Sequence, residues 1–492
     1  MKLFSLPRVL PERYSPMFLR FAIAAFVAAP SLLLAQTNFS GGIYSNTTWT
    51  KANSPYVLTG SVAVFPGKTL TIQPGVVVQM QPNPNLPNDY RYLEVRGTLN
   101  ALGTEADPIV FEGLNADTNV TWNGIRVVQS QGGTLQMDRF VLRNAWNGIE
   151  GEQDSNRLYW NNCVFEYNHY AIRIGSALEL NQCLFYKNEY TVLASNTTAV
   201  PSLVRSSVFR KNNVVIQGYP NVWLDQCVLD SNQMGFYFNP GYWYMPAKFT
   251  GNTFTHNFTA VATPHQSQFR GNVFDGNIFG ITGCVDCNLD SNLFTNNDLG
   301  VAIYGQSWFA NNQVLANKTG LVVGKAAWPG SPGNPTVVDN RLCGNLDYNV
   351  ANGGNANLDL DENCFCLSDS AAIDAKIFDG YDDITLGLIN FAVYDTSCTV
   401  VQKRVIKVNT ASFNELETRV GASPNPAAQE VRLDAVATEV KAMSADGRLF
   451  DLPKKDEEGL LWSVEQLPAG IYQLLGYDRA GLKFRTRLAV VH

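Results

Sequence analysis

Residues 269–297 read FRGNVFDGNIFGITGCVDCNLDSNLFTNN, and this stretch contains one phrase twice. Phe274 is followed three positions later by Asn277, and twenty positions further along Phe294 is followed in the same way by Asn297. Self-similarity at a short fixed period is the sequence signature of a repeat architecture. The middle of the chain is therefore predicted to consist of stacked copies of one small unit.

The same phrase recurs on both sides of this stretch. The apolar position holds Val141, Phe165, Phe185, Phe209, Leu229, Phe254, Phe274, Phe294, Val314 and Leu342. The asparagine position holds Asn144, Asn168, Asn188, Asn212, Asn232, Asn257, Asn277, Asn297, Asn317 and Asn345. Neighbouring units lie 20 to 28 residues apart, and most spacings are 20 or slightly longer. Loop insertions into a fixed unit give such a distribution.

Two further apolar columns keep this register, one five positions before the first column and one seven positions after it. Each unit therefore contains short β-type segments separated by turn residues, and no stretch has a helical period. Units this short bury a core only when they stack, and they are too small for a propeller blade of about 40 residues. Coils that rise by one strand spacing, about 4.8 Å, place each apolar column on top of itself. The pattern predicts a parallel β-helix.

The asparagine column has a structural explanation in such a fold. Asparagine tolerates left-handed backbone conformations and hydrogen-bonds nearby main chain, which suits a sharp turn. Stacked asparagine side chains also bond to one another across coils. The alternative is an asparagine-lined sugar site.

A second column, two positions before the apolar one, begins with Cys163, Cys183, Ser207 and Cys227 and continues as asparagine. Cys163 and Cys183 fall on adjacent coils, so we expect either a disulfide or a stack of buried thiols.

The composition of the 492-residue chain agrees with a repetitive scaffold. Charged residues make up only 16%, against about 25% in a typical soluble domain. The 47 asparagines outnumber the 36 lysines and arginines, and the low charge rules out a coiled coil. The net charge of −7 argues against broad binding to nucleic acid or anionic membranes.

The N-terminus has the pattern of an export signal. Basic residues precede an apolar run over residues 21–34, which ends at Ala35 and Gln36. The run is shorter than the roughly 20 residues of a comfortable membrane span. We predict a signal peptide over residues 1–35, and the alternative is a retained anchor helix. The rest of the chain contains no apolar stretch long enough to span a bilayer, so we expect no transmembrane segment in the mature chain.

The segment before the repeat contains short sequence motifs that are typical of a known protein family. Residues 68–76 read KTLTIQPGV, residues 93–99 read LEVRGTL, and residues 122–125 read WNGI. This region resembles the right-handed parallel β-helix family of pectate-lyase-like architecture, and the resemblance spans most of residues 41–391. It implies the fold and little about function, because one fold hosts many functions. Together with the repeat it predicts a parallel β-helix domain over residues 36–400.

The last part of the chain resembles another family. Ser423-Pro-Asn-Pro426, Ala445-Asp-Gly-Arg448, Leu467-Pro-Ala-Gly-Ile-Tyr472 and the terminal residues 485–491 match, in order, the C-terminal sorting domain of the type IX secretion system of Bacteroidota. The implied sorting residues are Pro424, Asn425, Pro426, Asp446, Gly447, Arg448, Gly470 and Tyr472.

This resemblance implies the secretion machinery as a partner and a protein that is secreted or attached to the outer-membrane surface. The residues themselves predict short alternating strands in a small β-sandwich over residues 421–492, preceded by a linker over residues 401–420. The alternative is a carbohydrate-binding sandwich. The predicted fold class is all-β: a right-handed parallel β-helix followed by a small C-terminal β-sandwich.

Residues 343–398 form the closing region of the predicted β-helix. Cys343, Cys364, Cys366 and Cys398 cluster there and are expected to staple its end. Asp379, Asp382 and Asp383 offer three carboxylates, so calcium is an alternative to the turn that we expect at these positions. Cys284 and Cys287 are separated by two residues, as in one half of a metal-binding knuckle or in a redox-active pair. No second cysteine pair lies at the spacing that a zinc finger requires. We predict no cofactor, with calcium as the alternative.

Candidate site residues lie in the turn just before the asparagine column. Lys187, Arg210 and Lys211 are the candidate bases of a polysaccharide lyase, while Tyr167 and Tyr186 are placed to stack on sugar rings. The same stripe contains Glu166, Asp230, His256 and Asp275. The alternative is a solvated turn, where mixed charges are expected.

An aromatic insertion is the second candidate. Residues 236–244 read FYFNPGYWY and lie in a unit with a spacing of 25 residues. Exposed aromatic residues on a loop favour ligand binding, which makes Tyr237, Tyr242, Trp243 and Tyr244 candidate sugar contacts. The alternative is a flap packed onto the β-helix.

The predicted function follows from these features. No metalloprotease motif, phosphate-binding loop or serine-nucleophile elbow occurs in the sequence. We therefore expect a surface β-helix that binds carbohydrate or extracellular matrix along its length. One alternative is a lyase or hydrolase acting on an anionic polysaccharide, and the other is a purely structural adhesin.

Overall fold

The computed structural model describes residues 36–82, 91–152, 158–194, 200–218, 221–238, 246–324, 334–395 and 398, and most of residues 422–490 outside the short gaps 424–428, 434–436, 445–448, 457–458 and 479–482. The described part is nearly all β-structure. Parallel strands wind into about 13 turns, so at about 4.8 Å per turn the rod is about 60 Å long. The predicted fold class, a parallel β-helix, is confirmed.

Each coil contributes one strand to each of three faces, which we name faces I, II and III in chain order. Face I consists of Thr47–Trp49, Thr69–Ile72, Thr98–Leu102, Thr134–Asp138, Leu158–Asn161, Leu178–Asn181, Ser202–Arg205, Val222–Asp225, Lys248–Thr250, Gln268–Arg270, Asn288–Asp290, Trp308–Ala310 and Thr336–Val338. Its hydrogen-bonded ladder is interrupted between the fourth and fifth of these strands.

Faces II and III share the two N-terminal strands Thr37–Ile43 and Tyr56–Val64, which run along both. Face II continues with Val77–Met80, Ile109–Gly113, Phe140–Arg143, Val164–Glu166, Leu184–Tyr186, Val208–Arg210, Val228–Asp230, Thr253–Thr255, Val273–Asp275, Leu293–Thr295, Gln313–Leu315 and Arg341–Cys343. Face III continues with Tyr92–Val95, Gly124–Val127, Asn147–Gly151, Tyr170–Ile174, Tyr190–Ala194, Val214–Gly218, Met234–Phe238, Thr259–Ala262, Phe279–Val285, Leu299–Tyr304, Thr319–Gly324, Tyr348–Asn352 and Ile377–Phe378. Two 3-10 turns, Lys51–Asn53 and Gln129–Gln131, lie in the first coils.

The three predicted apolar columns fill the interior, one from each face. On face II the rings of Phe254 and Phe274 stack with centroids 4.6 Å apart, and those of Phe274 and Phe294 with centroids 4.7 Å apart. These separations equal the rise per coil, so each ring lies directly on the ring of the previous coil. The first predicted unit is shifted by one residue, because Leu142 and not Val141 pairs with Phe165.

The asparagine column forms a buried ladder at the corner between faces II and III. The amide of Asn277 donates from Nδ2 to Oδ1 of Asn297 at 2.9 Å and to the carbonyl of Phe254 at 3.0 Å. Its Oδ1 accepts from the backbone N–H and the Nδ2 of Asn257, both at 2.9 Å. The same pattern repeats from Asn168 to Asn345.

Our explanation of the turn was wrong in one respect. The left-handed residue is the one before each ladder asparagine: Lys187, His256 and Asn296, for example, have φ of 51°, 54° and 56°. The ladder asparagine binds main chain, and its predecessor makes the bend. Asn144, with φ of 64°, occupies the bend position, so the ladder begins at Asn168.

The corner between faces I and II has a second ladder, in which cysteine, serine and asparagine hold equivalent positions. The backbone N–H of Cys227 donates to Oδ1 of Asn252 at 2.9 Å, and the asparagine ladder continues from Asn252 to Asn363. Cys163, Cys183 and Cys227 are buried free thiols. A disulfide between Cys163 and Cys183 is therefore absent, and the alternative of stacked thiols is correct.

The closing region is stapled as predicted. Disulfides join Cys343 to Cys366 and Cys364 to Cys398. The short helix Ser370–Asp374 is capped by the carboxylate of Asp369, and Leu358–Asp359 pairs with Ile389–Asn390 in a small parallel sheet.

The C-terminal part contains two antiparallel sheets around one core. One consists of Ala422–Ser423, Glu430–Leu433 and Leu461–Ser463, and the other of Leu449–Asp451, Ala437–Ser444, Gly470–Asp478 and Lys483–Val490. Val431 and Trp462 of the first sheet share a buried cluster with Val440 and Leu474 of the second. This is the predicted β-sandwich. Among the residues that the structure describes, no helix is long and apolar enough to cross a membrane.

Candidate functional site

Face I presents an outward column of side chains along the rod. In each strand of this face a core residue such as Leu224 or Phe309 points inward, and the residue before it points outward because side chains alternate. Strand register aligns the outward positions from coil to coil. The outward column reads Tyr159, Glu179, Leu203, Trp223, Lys248, Gln268, Asn288, Trp308 and Thr336.

Three large aromatic residues of this column are exposed. Tyr159, Trp223 and Trp308 are 62%, 39% and 47% exposed. Trp223 lies three coils beyond Tyr159, and Trp308 four coils beyond Trp223, so the steps are about 14 and 19 Å at the coil rise of about 4.8 Å. Exposed aromatic rings on one sheet form a linear row of apolar surfaces along the rod.

The positions between the two tryptophans are polar. The ammonium of Lys248 lies over the Trp223 ring, 4.2 Å from its centroid, and Gln268 and Asn288 are exposed. In the neighbouring outward column, Nε of Arg270 is 3.6 Å from a carboxylate oxygen of Asp290. Nearer to Tyr159, Arg205 and Glu179 form an ion pair at 2.6 Å. Face I therefore combines aromatic rings with amides and paired charges.

The predicted stripe before the asparagine ladder is only partly accessible. Tyr167 and Tyr186 are 9% and 4% exposed, and their rings pack edge to face with centroids 5.9 Å apart. The ammonium of Lys187 lies over both rings, 5.6 Å and 5.3 Å from their centroids. The expectation that these two tyrosines present open ring faces is wrong, because the corner packs them against each other and beneath Lys187.

The other basic candidates have different surroundings. Arg210 Nε is 3.0 Å from a carboxylate oxygen of Asp230, a geometry that stabilises the charged guanidinium. Lys211 is exposed at a left-handed bend position with φ of 56°. The structure therefore places Arg210 in an ion pair and Lys187 over two rings, while Lys211 faces solvent. The three residues stand at one corner on adjacent coils.

Glu166 belongs to a charge ladder. Arg143 binds Glu112 at 2.5 Å and Glu166 at 3.0 Å, and Glu166 is only 3% exposed. Burial opposes ionisation of Arg143, but hydrogen bonds and charge from Glu112, followed by those from Glu166, raise the pKa of the guanidinium overall. Charges thus alternate from Glu112 through Arg143 to Glu166, and these ion pairs join three successive coils.

The aromatic insertion is partly a strand. Met234–Phe238 is the face III strand of its coil, Tyr237 is half-buried, and Phe238 packs on Phe236 with ring centroids 4.7 Å apart. Tyr242, Trp243 and Tyr244 lie outside the described residues, in the connection from this strand to Lys248–Thr250 of face I.

The candidate calcium carboxylates bind main chain. Asp379 is buried and accepts from the backbone N–H groups of Tyr381 and Ile389. Asp382 accepts from the N–H of Asp379, and Asp383 accepts from the N–H and hydroxyl of Thr385, which lowers the pKa of Asp383. The three residues form the expected turn, and their oxygens serve its hydrogen bonds.

The cysteine clusters are covalent crosslinks. Sulfur atoms of Cys343, Cys364 and Cys366 lie close enough for a metal ion, but all three residues are in disulfides. Cys284 and Cys287 form a buried disulfide within one coil. A thiolate site would require reduction first, so both clusters act as staples.

The predicted sorting residues fall in two groups. Pro424, Asn425, Pro426, Asp446, Gly447 and Arg448 lie outside the described residues. Gly470 begins the strand Gly470–Asp478, and Tyr472 within it is buried and donates its hydroxyl to the carbonyl of Pro468 at 2.9 Å. These contacts belong to the sandwich core, and the sorting role remains a prediction.

Comparison with known proteins supports the coiled architecture at its N-terminal end. Residues 41–134 match the family model of the pectate-lyase-like β-helix domain. Protein bark beetle of Drosophila melanogaster is 40% identical over 124 residues, which is 24% of this chain and 4% of that protein. The crystal structure of tailspike protein 3 of bacteriophage CBA120 aligns with a TM-score of 0.27 and 11% identity, over 78% of this chain and 57% of that chain. The chain thus spans only a small fraction of the curated relative that it matches.

Sequence reasoning missed the aromatic row of face I. Tyr159, Trp223 and Trp308 each precede a core residue of the column found from the sequence. Aligning the position just before that column would have brought the three residues together. The signal was weak because six other members of the column are not aromatic.

Proposed function

We propose that this protein binds an extended, neutral or weakly charged polysaccharide along face I. The observation that carries the proposal is the row of Tyr159, Trp223 and Trp308, exposed on one sheet with amides and paired charges between them. Aromatic rings pack against the apolar faces of sugars, and amides hydrogen-bond their hydroxyl groups. A rod whose coils repeat at about 4.8 Å presents these groups along one line, which suits a linear polymer.

The distribution of charges on face I favours one class of polysaccharide over another. Glu179 and Arg205 neutralise each other, as do Arg270 and Asp290, and the ammonium of Lys248 lies over the ring of Trp223. A polyanion would gain little from such a surface, because opposed charges on the protein cancel at short range. A neutral or weakly charged polymer therefore fits better than a polyuronate.

Affinity electrophoresis of the full chain in gels containing neutral polysaccharides or polyuronates tests the proposal. Trp223→Ala and Trp308→Ala are each expected to weaken binding by about 10- to 30-fold, the effect of losing about 1.5–2 kcal/mol of ring contact. Trp146→Ala is a matched control, because Trp146 is also 39% exposed but lies outside face I, stacked on His169. Retardation that is unchanged in both face I variants would exclude this surface. If no polysaccharide retards the protein, the alternative of a structural surface protein is favoured.

The proposal includes export and display at the cell surface through the type IX system. The apolar run over residues 21–34 and the ordered phrases of residues 421–492 support it. In a Bacteroidota host, deleting residues 421–492 is expected to retain the protein inside the cell, while the intact chain is recovered outside with an N-terminus at Gln36. Equal export of both chains would contradict the sorting role.

A further inference from the structure

A surface recess lies at the corner between faces II and III, the corner that does not border face I. Its volume is about 300 Å³, and its walls include Ser231, Gln233, His256, Phe258, Gly276 and Ile278, with ladder asparagines as its floor. This volume is at the lower end of the range for small-molecule sites, which corresponds to a ligand of about one ring.

The recess exists because one bend residue has no side chain. Bend positions on neighbouring coils hold His256, Gly276 and Asn296, all in the left-handed region with φ between 54° and 66°. A Cβ at Gly276 would lie 3.3 Å from Cδ2 and 3.5 Å from Nε2 of His256. Because other bend positions hold large residues without difficulty, glycine here is not required by the backbone. It opens space beside the imidazole.

The imidazole of His256 is held by a carboxylate. Its Nδ1 is 3.2 Å from Oδ1 of Asp230, and the same oxygen accepts from Thr255 and Ser231. A carboxylate only accepts hydrogen bonds, so the proton of this hydrogen bond is on Nδ1, which leaves Nε2 as the ring nitrogen available to a ligand. Nε2 lies on the edge of the ring nearest to Gly276. This nitrogen of His256 therefore lies beside the recess.

The opposite wall is apolar. Phe258 and Ile278 are 44% and 40% exposed on adjacent coils. The ring of Phe279 packs edge to face against that of Phe258, with centroids 5.7 Å apart. Apolar side chains beside a hydrogen-bonding ring nitrogen match a ligand ring with one apolar face and hydroxyl groups at its edge.

We propose that this recess binds a single pyranose ring, with its C–H face on Phe258 and Ile278 and a hydroxyl group hydrogen-bonded to Nε2 of His256. Gln233 supplies a further amide at the rim. The site is separate from the row on face I and does not rest on the proposed function. It would hold a branch sugar or a chain end, whereas face I holds the length of a polymer.

Saturation-transfer NMR with methyl pyranosides of glucose, galactose and mannose tests this site on the full chain. Gly276→Asn fills the recess with the residue that Asn296 places at the next bend, so the backbone conformation is preserved. It is expected to weaken binding of the preferred pyranoside at least tenfold, as is Phe258→Ala. Asn296→Gly, which opens a notch without a histidine beside it, and Trp308→Ala are expected to leave binding within twofold.

The outcomes separate the two sites. Circular dichroism establishes that each variant is folded. Loss in Gly276→Asn and Phe258→Ala, with retention in Trp308→Ala, supports the recess. Loss in Trp308→Ala alone would place the sugar on face I and overturn the inference. Equal signals in all variants, or no signal from the unchanged chain with any of the three pyranosides, would overturn it as well.

Discussion

Replacing Asn277 by alanine removes one rung from the middle of the asparagine ladder. Its side chain satisfies two buried main-chain groups of the preceding coil, the N–H of Asn257 and the carbonyl of Phe254. Each buried group left without a partner costs about 1–3 kcal/mol. The loss of both predicts a decrease of about 3–4 kcal/mol in the free energy of unfolding of the coils that contain them.

Guanidinium unfolding, followed by circular dichroism and by the near-ultraviolet signal, measures this decrease. Long repeat arrays do not always unfold in one step, so the transition that includes the central coils is the one to compare. Asn277→Asp keeps the acceptor but removes the donor, and separates the two roles. Lys318→Ala, an exposed change two coils further along, is expected to stay within about 0.5 kcal/mol of the unchanged chain. A decrease below about 1 kcal/mol in Asn277→Ala would refute the view that the ladder carries this stability.

Three further predictions concern buried groups and the predicted stripe. Burial raises the pKa of the Cys227 thiol to about 12, so above about pH 8.5 the unfolded chain releases a proton that the folded chain keeps. The contribution of this thiol to stability is therefore fully present below that pH and is lost as the pH rises towards 12. Between about pH 8 and 10, the Tm of Cys227→Ser should fall less than the Tm of the unchanged chain. Arg143→Met removes the shared partner of Glu112 and Glu166 and should lower the free energy of unfolding in urea by about 2–3 kcal/mol. This decrease is smaller than for a fully buried pair because the guanidinium is partly exposed. Adding Glu166→Gln should restore part of the lost free energy. Lys211→Ala should leave polysaccharide retardation within twofold, and a loss above tenfold would restore the stripe as the binding surface.

The fold could be predicted because burial in a stacked rod is strictly periodic. Phe254, Phe274 and Phe294 occupy one interior column, and a small residue at any of these positions would leave a cavity. Large apolar residues therefore recur in the sequence with the period of the coil. The bend residue was misplaced by one position because a left-handed conformation is tolerated by Lys187 and His256 as well as by glycine and asparagine. Residue type alone therefore does not mark it.

The candidate site was less predictable because exposure depends on neighbouring coils. Tyr167 and Tyr186 are typical surface residues in sequence, yet they are buried once Lys187 lies over them. Trp223 and Trp308 resemble core residues in composition, yet the alternation of a strand turns both outward. A one-residue difference in register decides which face a tryptophan occupies.

The affinity of an oligosaccharide series for the full chain tests the central claim most directly. Oligomers of the preferred polysaccharide whose extended length is below and above the Trp223–Trp308 separation of about 19 Å are compared by calorimetry. Affinity is expected to rise by about 10-fold or more once an oligomer reaches both rings, and this increase should vanish in Trp308→Ala. An affinity that does not change with length, or an increase that persists in Trp308→Ala, would contradict binding along face I.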